Sequence, residues 1–151
     1  MSSYRLEQEQ FVDRPLGEVF DFFSKAENLE ELTPDFLHFK ILTPGPIAME
    51  PGALIEYRLR LFGLSFRWKT LIESFEPGSA FVDVQLSGPY RSWRHVHRFE
   101  AIHGGTLMSD TVVYELPLGP LGRIAHAVFV RRSVERIFRY RRERIEALFG
   151  S

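Results

Sequence analysis

The sequence predicts a single α+β domain: a curved antiparallel sheet of about six or seven strands around a long C-terminal helix, with two short helices after the first strand. Three observations carry this. Residues 53–72 alternate apolar with charged side chains, as strands with one covered and one wet face do. From Leu118 to Phe149 the period changes, and Leu121, Ile124, Val128, Val134, Phe138, Ile145 and Leu148 recur mostly at three- or four-residue intervals. Between these stretches, Pro77-Gly78, Gly88-Pro89 and Gly104-Gly105 punctuate the chain as turns do.

The elements follow in order. Tyr4 to Val12 is a polar-rich strand. Asp13 can cap the helix that follows, with Pro15 in its first turn, where a missing N–H is harmless. Leu16, Val19, Phe20 and Phe23 have helical spacing. Ser24 can cap a second short helix carrying Leu29 and Leu32, which Thr33-Pro34 ends. Phe36 to Leu42 is a candidate strand, followed by a loop dense in Pro and Gly. In Ala53 to Phe62, Ile55, Tyr57, Leu59 and Leu61 share one face, opposite Glu56, Arg58 and Arg60. After Gly63, Phe66, Trp68, Thr70 and Ile72 alternate with Arg67 and Lys69. Ala80 to Leu86, Arg91 to Ile102 and Thr106 to Leu116 complete the sheet, and Leu118 to Phe149 reads as one helix. No internal repeat or linker divides the chain, so residues 1–151 are expected to form one domain.

Composition narrows the function. Apolar residues make up 44% of the 151 residues, and 14 Phe, five Tyr and two Trp favour a bulky core or an apolar cavity wall. The net charge of −1 offers no general attraction for nucleic acid or anionic membranes. Without cysteine, disulfides, thiolate metal sites and cysteine nucleophiles are excluded. MSSYRLEQEQ lacks the apolar core of a signal peptide and no apolar run could span a bilayer, so a cytoplasmic protein is expected. Arg131, Arg132, Arg136, Arg139, Arg141, Arg142 and Arg144 form a basic stretch interleaved with Glu135, Glu143 and Glu146, the usual pattern of a solvated helix face.

The segment from Gly88 to Glu100, GPYRSWRHVHRFE, carries the chemistry. Trp93, His95, His97 and Phe99 share one face, and the charged residues Arg94, Arg98 and Glu100 put the other in water. With Gly104 and Gly105 as the loop, Phe99 falls opposite Asp110, His97 opposite Val112 and His95 opposite Tyr114, leaving Asp110 diagonal to His97. The same counting around Phe62-Gly63 places Tyr57 opposite Trp68, and the strand after Pro77-Gly78 brings Asp83 and Gln85 inward. A face holding Tyr57, Trp68, Gln85, His95, His97, Asp110 and Tyr114 is too polar for an ordinary core. Either these groups satisfy one another in a closed network, or they orient a ligand in a cavity; several on adjacent strands favour the cavity. A two-His-one-carboxylate metal site from His95, His97 and Asp110 is geometrically conceivable, but no further ligand can be placed, and neither a metal nor another cofactor is expected. An acid/base pair of His97 or His95 with Asp110 is the sharper catalytic alternative.

The early strand followed by RPLGEVFDFFSKAENLEELTP, then GPYRSWRHVHRFE, GGTLMSDTVVYELPLG and the long final helix, resembles the START-like (SRPBCC) superfamily, in particular its small bacterial ligand-binding and polyketide cyclase/dehydrase-like proteins. The resemblance covers nearly the whole chain. It implies a helix-grip fold and a cavity between sheet and long helix, where members bind lipids, sterols, polyketides or hormones. Some members are cyclases or dehydratases, and others are domains joined to a nucleotide-sugar-epimerase-like unit. It implies no shared catalytic set.

The first expectation is therefore binding or transport of an apolar small molecule, lipid- or polyketide-like, with Tyr57, Trp68, Gln85, Trp93, His95, His97, Phe99, Asp110 and Tyr114 around it. A cyclase/dehydratase using His97, Asp110 and His95 is the second, and an interaction protein docking through its basic helix the third. No nucleic-acid partner is expected; a homodimer is compatible with all three.

Overall fold

Alternation in the sequence becomes an open, curved, seven-stranded antiparallel sheet, ordered β1-β7-β6-β5-β4-β3-β2. The computed structural model describes residues 3–61 and 63–150; Phe62, the expected end of one strand, and the terminal residues of the expected domain lie outside them. The strands are β1 (Ser3–Val12), β2 (Lys40–Ile41), β3 (Leu54–Leu61), β4 (Leu64–Glu76), β5 (Ala80–Ser87), β6 (Ser92–Ile102) and β7 (Gly105–Glu115). Helix α1 (Leu16–Phe23) and 3₁₀ turns at Ala26–Leu32 and Asp35–Leu37 separate β1 from β2. After β7 the chain forms α2 (Gly119–Ala125), a π-helical turn (His126–Val130) and α3 (Arg131–Phe149), one unbroken helical stretch.

Several local expectations are corrected. Asp13 does not cap α1; the residue before the helix is Pro15, with no side-chain cap. Ser24 closes α1 rather than opening the next turn: its hydroxyl donates to the Asp21 carbonyl at 3.0 Å, satisfying a helix-end acceptor. Phe36 to Leu42 is not a strand. Pro34 leads into a 3₁₀ turn, His38 is left-handed at φ 49°, and only Lys40 and Ile41 pair, with Arg58 and Tyr57.

The β6–β7 turn consists of His103 and Gly104, both at positive φ (50° and 77°), as a two-residue hairpin turn of the primed type requires. Gly105 belongs to β7, opposite Ile102. Its lack of a side chain serves a close approach: a Cβ there would lie 2.5 Å from the Phe11 ring and 2.7 Å from the Val12 carbonyl oxygen. The register therefore moves by two residues, keeping every face but changing partners. Phe99 faces Met108, His97 faces Asp110, His95 faces Val112 and Trp93 faces Tyr114. Tyr57 lies opposite Trp68, as the counting predicts.

The long helix buries Val134, Phe138 and Ile145 but exposes Leu121, Ile124 and Val128 at 66%, 60% and 60%, so its leading third does not continue the buried stripe. Nor is the basic stretch wholly solvated. Arg141 is buried, Arg142 donates to the Glu9 carbonyl at 2.6 Å, and Arg144 pairs with Glu31 at 2.8 Å.

The interior holds two apolar clusters, one around Ile55, Leu59, Trp68, Val112 and Phe138, the other around Val12, Phe20, Phe81, Phe99, Met108 and Ile145. Between them runs a polar belt. Along β6, His95 and His97 separate Trp93 from Phe99; along β7, Asp110 separates Val112 from Met108; along α3, Arg141 separates Phe138 from Ile145.

Candidate functional site

Antiparallel pairing sets Asp83 of β5 directly opposite His95, and Asp110 of β7 directly opposite His97. The hydrogen bonds run along the diagonals instead. His97 Nε2 lies 2.6 Å from Asp83 Oδ2, and His95 Nε2 lies 2.8 Å from Asp110 Oδ1. Two residues apart on one strand, the imidazoles stack at 3.6 Å between centroids, and Phe81 covers the other face of His97 at 4.1 Å. From α3, Arg141 reaches Asp110 twice, Nε to Oδ2 at 3.2 Å and Nη2 to Oδ1 at 3.3 Å.

The electrostatics follow from burial and these contacts. Burial alone would raise the Asp110 carboxyl, but the Arg141 charge and the His95 hydrogen bond outweigh it and hold it well below the usual carboxylate range. Asp83 is likewise held low, its burial outweighed by the His97 hydrogen bond and by the charges of His97, His95 and Arg141. His97 is lowered to about 4, first by burial and then by the His95 charge, with Asp83 offsetting only part of this.

The belt forms one wall of a cavity of about 180 Å³ between the sheet, the 3₁₀ turns and α3. Asp83, His95, His97 and Thr70 line it from the sheet and Arg141 from α3, Lys25, Asn28 and Thr33 line it from the turn segment, and Leu29, Met49, Ile55, Trp68, Trp93 and Phe138 are among its apolar lining. Tyr57 also reaches it, its hydroxyl 2.9 Å from Thr70 Oγ1. Burial, and next the Asp83 charge, push the Tyr57 phenol up and keep it neutral. The Trp68 indole N–H is buried with no hydrogen-bond partner among the described residues.

Of the residues expected around a ligand, the structure brings Tyr57, Trp68, Trp93, His95 and His97 to the cavity. Gln85, Phe99, Asp110 and Tyr114 do not line it. The Gln85 amide clamps the Tyr90 backbone, receiving its N–H at 3.1 Å and donating to its carbonyl at 2.7 Å, and so presents the Tyr90 ring to the cavity in its own place. Gly88 permits this, since a Cβ there would lie 2.6 Å from Gln85 Oε1. Phe99 packs in the second apolar cluster, Asp110 sits behind His95, and Tyr114 meets His126 at 3.0 Å on the far side. Sequence reasoning missed Arg141 and Tyr90. Arg141 lies three residues after Phe138 and four before Ile145, so helical spacing does put it on the buried stripe.

Residues 12–138 match the family model described as polyketide cyclase / dehydrase and lipid transport. The chain belongs to that family. No curated protein matches the sequence. Among solved structures, this polyketide cyclase-family chain is similar to protein CV1439 from Chromobacterium violaceum, with TM-score 0.74 and 11% identity over 97% of each chain. It is also similar to major latex-like protein 151 from Panax ginseng, with TM-score 0.69 and 12% identity over 97% of each chain. Identities this low speak to the fold alone, a helix grip. A nucleoside-diphosphate sugar epimerase from Corynebacterium glutamicum matches at 26% identity and TM-score 0.67, over 93% of this chain but 28% of that one. No helix of the described residues is long and apolar enough to cross a membrane.

Proposed function

We propose that the protein binds one apolar small molecule, lipid- or polyketide-like, between sheet and α3, with the ligand's polar end turned toward Asp83, His95 and His97. The observation that carries this is the chamber itself: a mostly apolar space that Asp83, His95, His97 and Thr70 line from the sheet, the usual make-up of a small-molecule site. The unpartnered Trp68 N–H supports it, because a buried donor without an acceptor costs about 1–3 kcal/mol, which a ligand oxygen would recover.

Size limits the ligand. A cavity of about 180 Å³ is close to the ~150 Å³ that accommodates a benzene ring, so the cavity as it stands takes one ring or a short acyl chain. A fused-ring polyketide or a sterol would need the 3₁₀ turns at Ala26–Leu32 and Asp35–Leu37 to move outward. Native mass spectrometry of gently purified protein tests the reading, and saturable micromolar binding of an apolar fluorescent probe, about −8 kcal/mol, is expected. A folded protein with neither retained ligand nor saturable probe binding would sink it.

One observation favours a second reading, a cyclase or dehydratase. His97 and Asp83, bonded at 2.6 Å, both line the cavity, and with His97 neutral and Asp83 ionised at pH 7 the pair can take up one proton from a bound substrate. Water loss from hydroxylated cyclic or poly-β-keto substrates, abolished by His97→Gln while probe binding persists, would establish it.

A further inference from the structure

The polar belt is more organised than ligand orientation requires. Asp83, His95 and His97 each present one donor atom, and these three atoms lie within 4.8 Å of one another. The third donor is Asp83, not the Asp110 that sequence counting offered. We propose that Asp83, His95 and His97 form a binding site for one divalent first-row transition-metal ion whose remaining coordination positions open into the apolar cavity.

The spacing suits an ion. Nitrogen and carboxylate donors about 2.0–2.2 Å from a metal stand roughly 3 Å apart from one another. His97 Nε2 is 2.6 Å from Asp83 Oδ2, and His95 Nδ1 is 4.0 Å from the same oxygen, so small rotations reach that spacing. Two imidazoles and one carboxylate are the donor set of divalent ions with open positions, zinc and ferrous iron among them.

The outer shell is the stronger argument. A metal-bound histidine ordinarily donates its other ring N–H to a carboxylate or carbonyl, which fixes tautomer and direction. His95 already does so: its Nε2 meets Asp110 Oδ1 at 2.8 Å, which leaves Nδ1 on the side of Asp83. His97 Nδ1 is buried with no hydrogen-bond partner among the described residues, and it faces the same Asp110 oxygen at 3.7 Å. If His97 Nε2 gives up its bond to Asp83 for an ion, a small turn of the ring closes that gap. Asp110 would then orient both ligands, and Arg141 holds Asp110 in place and balances its charge. A closed hydrogen-bond network would leave no such orphan nitrogen. Held by two imidazoles and the Asp83 carboxylate, a dication would attract an anionic or strongly polar oxygen of the cavity's occupant.

The inference is independent of the apolar-ligand reading. Untagged protein, stripped with a chelator, is titrated with cobalt(II) while visible absorption is followed, and with zinc by calorimetry. The expected result is one equivalent bound, with the intense visible bands of low-coordinate cobalt and a rise in Tm. Asp83→Asn and His97→Gln should each abolish stoichiometric uptake. Asp110→Asn should retain one equivalent at about 10–100-fold weaker affinity, the loss expected of an outer-shell carboxylate. No stoichiometric uptake by the folded wild type overturns the proposal, and so does uptake that survives in both ligand variants. Should either variant fail to fold, His95→Gln replaces it: loss of stoichiometric uptake supports the site, and full uptake overturns it. Probe binding by a protein that takes up no metal leaves the proposed function standing and removes this inference alone.

Discussion

Arg141 spans from α3 to Asp110 on β7 and joins helix to sheet through two hydrogen bonds in the middle of the interior. Both partners are about 95% buried, so neither charge has water to fall back on. Removing one member should cost far more than the pair contributes. Arg141→Leu is expected to destabilise the fold by about 3–5 kcal/mol, because it leaves a buried carboxylate unpaired. The double variant Arg141→Leu/Asp110→Leu should recover part of that loss. Urea unfolding of the wild type, the two single variants and the double variant checks both statements, and additive single effects would contradict them.

Acid should weaken the protein before Asp83 or Asp110 titrates. His97 has a folded pKa of about 4 against 6.5 when unfolded, so as pH falls the unfolded chain takes up the proton first. Its contribution to stability is complete above pH 6.5 and is lost as pH falls from 6.5 to 4, amounting to about 3 kcal/mol. Asp83 and Asp110 are held low, so their share is present above the ordinary value of 3.8 and disappears only below it. Thermal melts between pH 7 and 4 should show Tm declining across that window, with a flatter profile in His97→Gln.

Trp68→Phe separates affinity from stability. The substitution removes a buried N–H that nothing among the described residues accepts, so the unliganded fold should lose little, about 1 kcal/mol or less, the smaller ring offset by the lost orphan donor. Ligand affinity should fall several-fold where the ligand offers an oxygen to that donor. Parallel denaturation and probe titration distinguish this from a simple packing defect, which would lower both together.

Gly104→Ala and Gly105→Ala look equivalent in sequence and should not behave alike. At Gly104 the cost is backbone strain at φ 77°, about 1 kcal/mol. At Gly105 the new methyl meets the Phe11 ring and the Val12 carbonyl and must push β1 away from β7, costing about 1–3 kcal/mol or more. Equal Tm shifts for the two variants would contradict the assignment of the turn to His103-Gly104.

These glycines also show where the sequence could be read and where it could not. The inward face of β6 was legible because arginines mark its wet side; burial of His95, His97 and Phe99 follows from period alone. The exact partner of His97 was not, since two adjacent glycines had different causes, one conformational and one steric, and both look like turn residues. Arg141 was hidden by its neighbours: six further arginines on the same helix read as a solvated face, although Phe138 and Ile145 bracket it on the buried one. The strand expected from Phe36 to Leu42 failed for a reason sequence does not show, the left-handed turn at His38. Gln85 was placed inward by alternation, yet its amide is used up in shaping the loop that carries Tyr90.

The π turn at His126–Val130, in which Arg131 N–H donates to the His126 carbonyl five residues back, gives the helix a tolerance for length at one place only. Such a turn absorbs one residue more than an α-helix needs over the same rotation. A chain shortened by one residue inside this turn can revert to plain α geometry with both flanks still pointing where they now point. The same deletion inside α3 would swing every following side chain by about 100°, carrying Arg141 off Asp110 and Ile145 out of the interior.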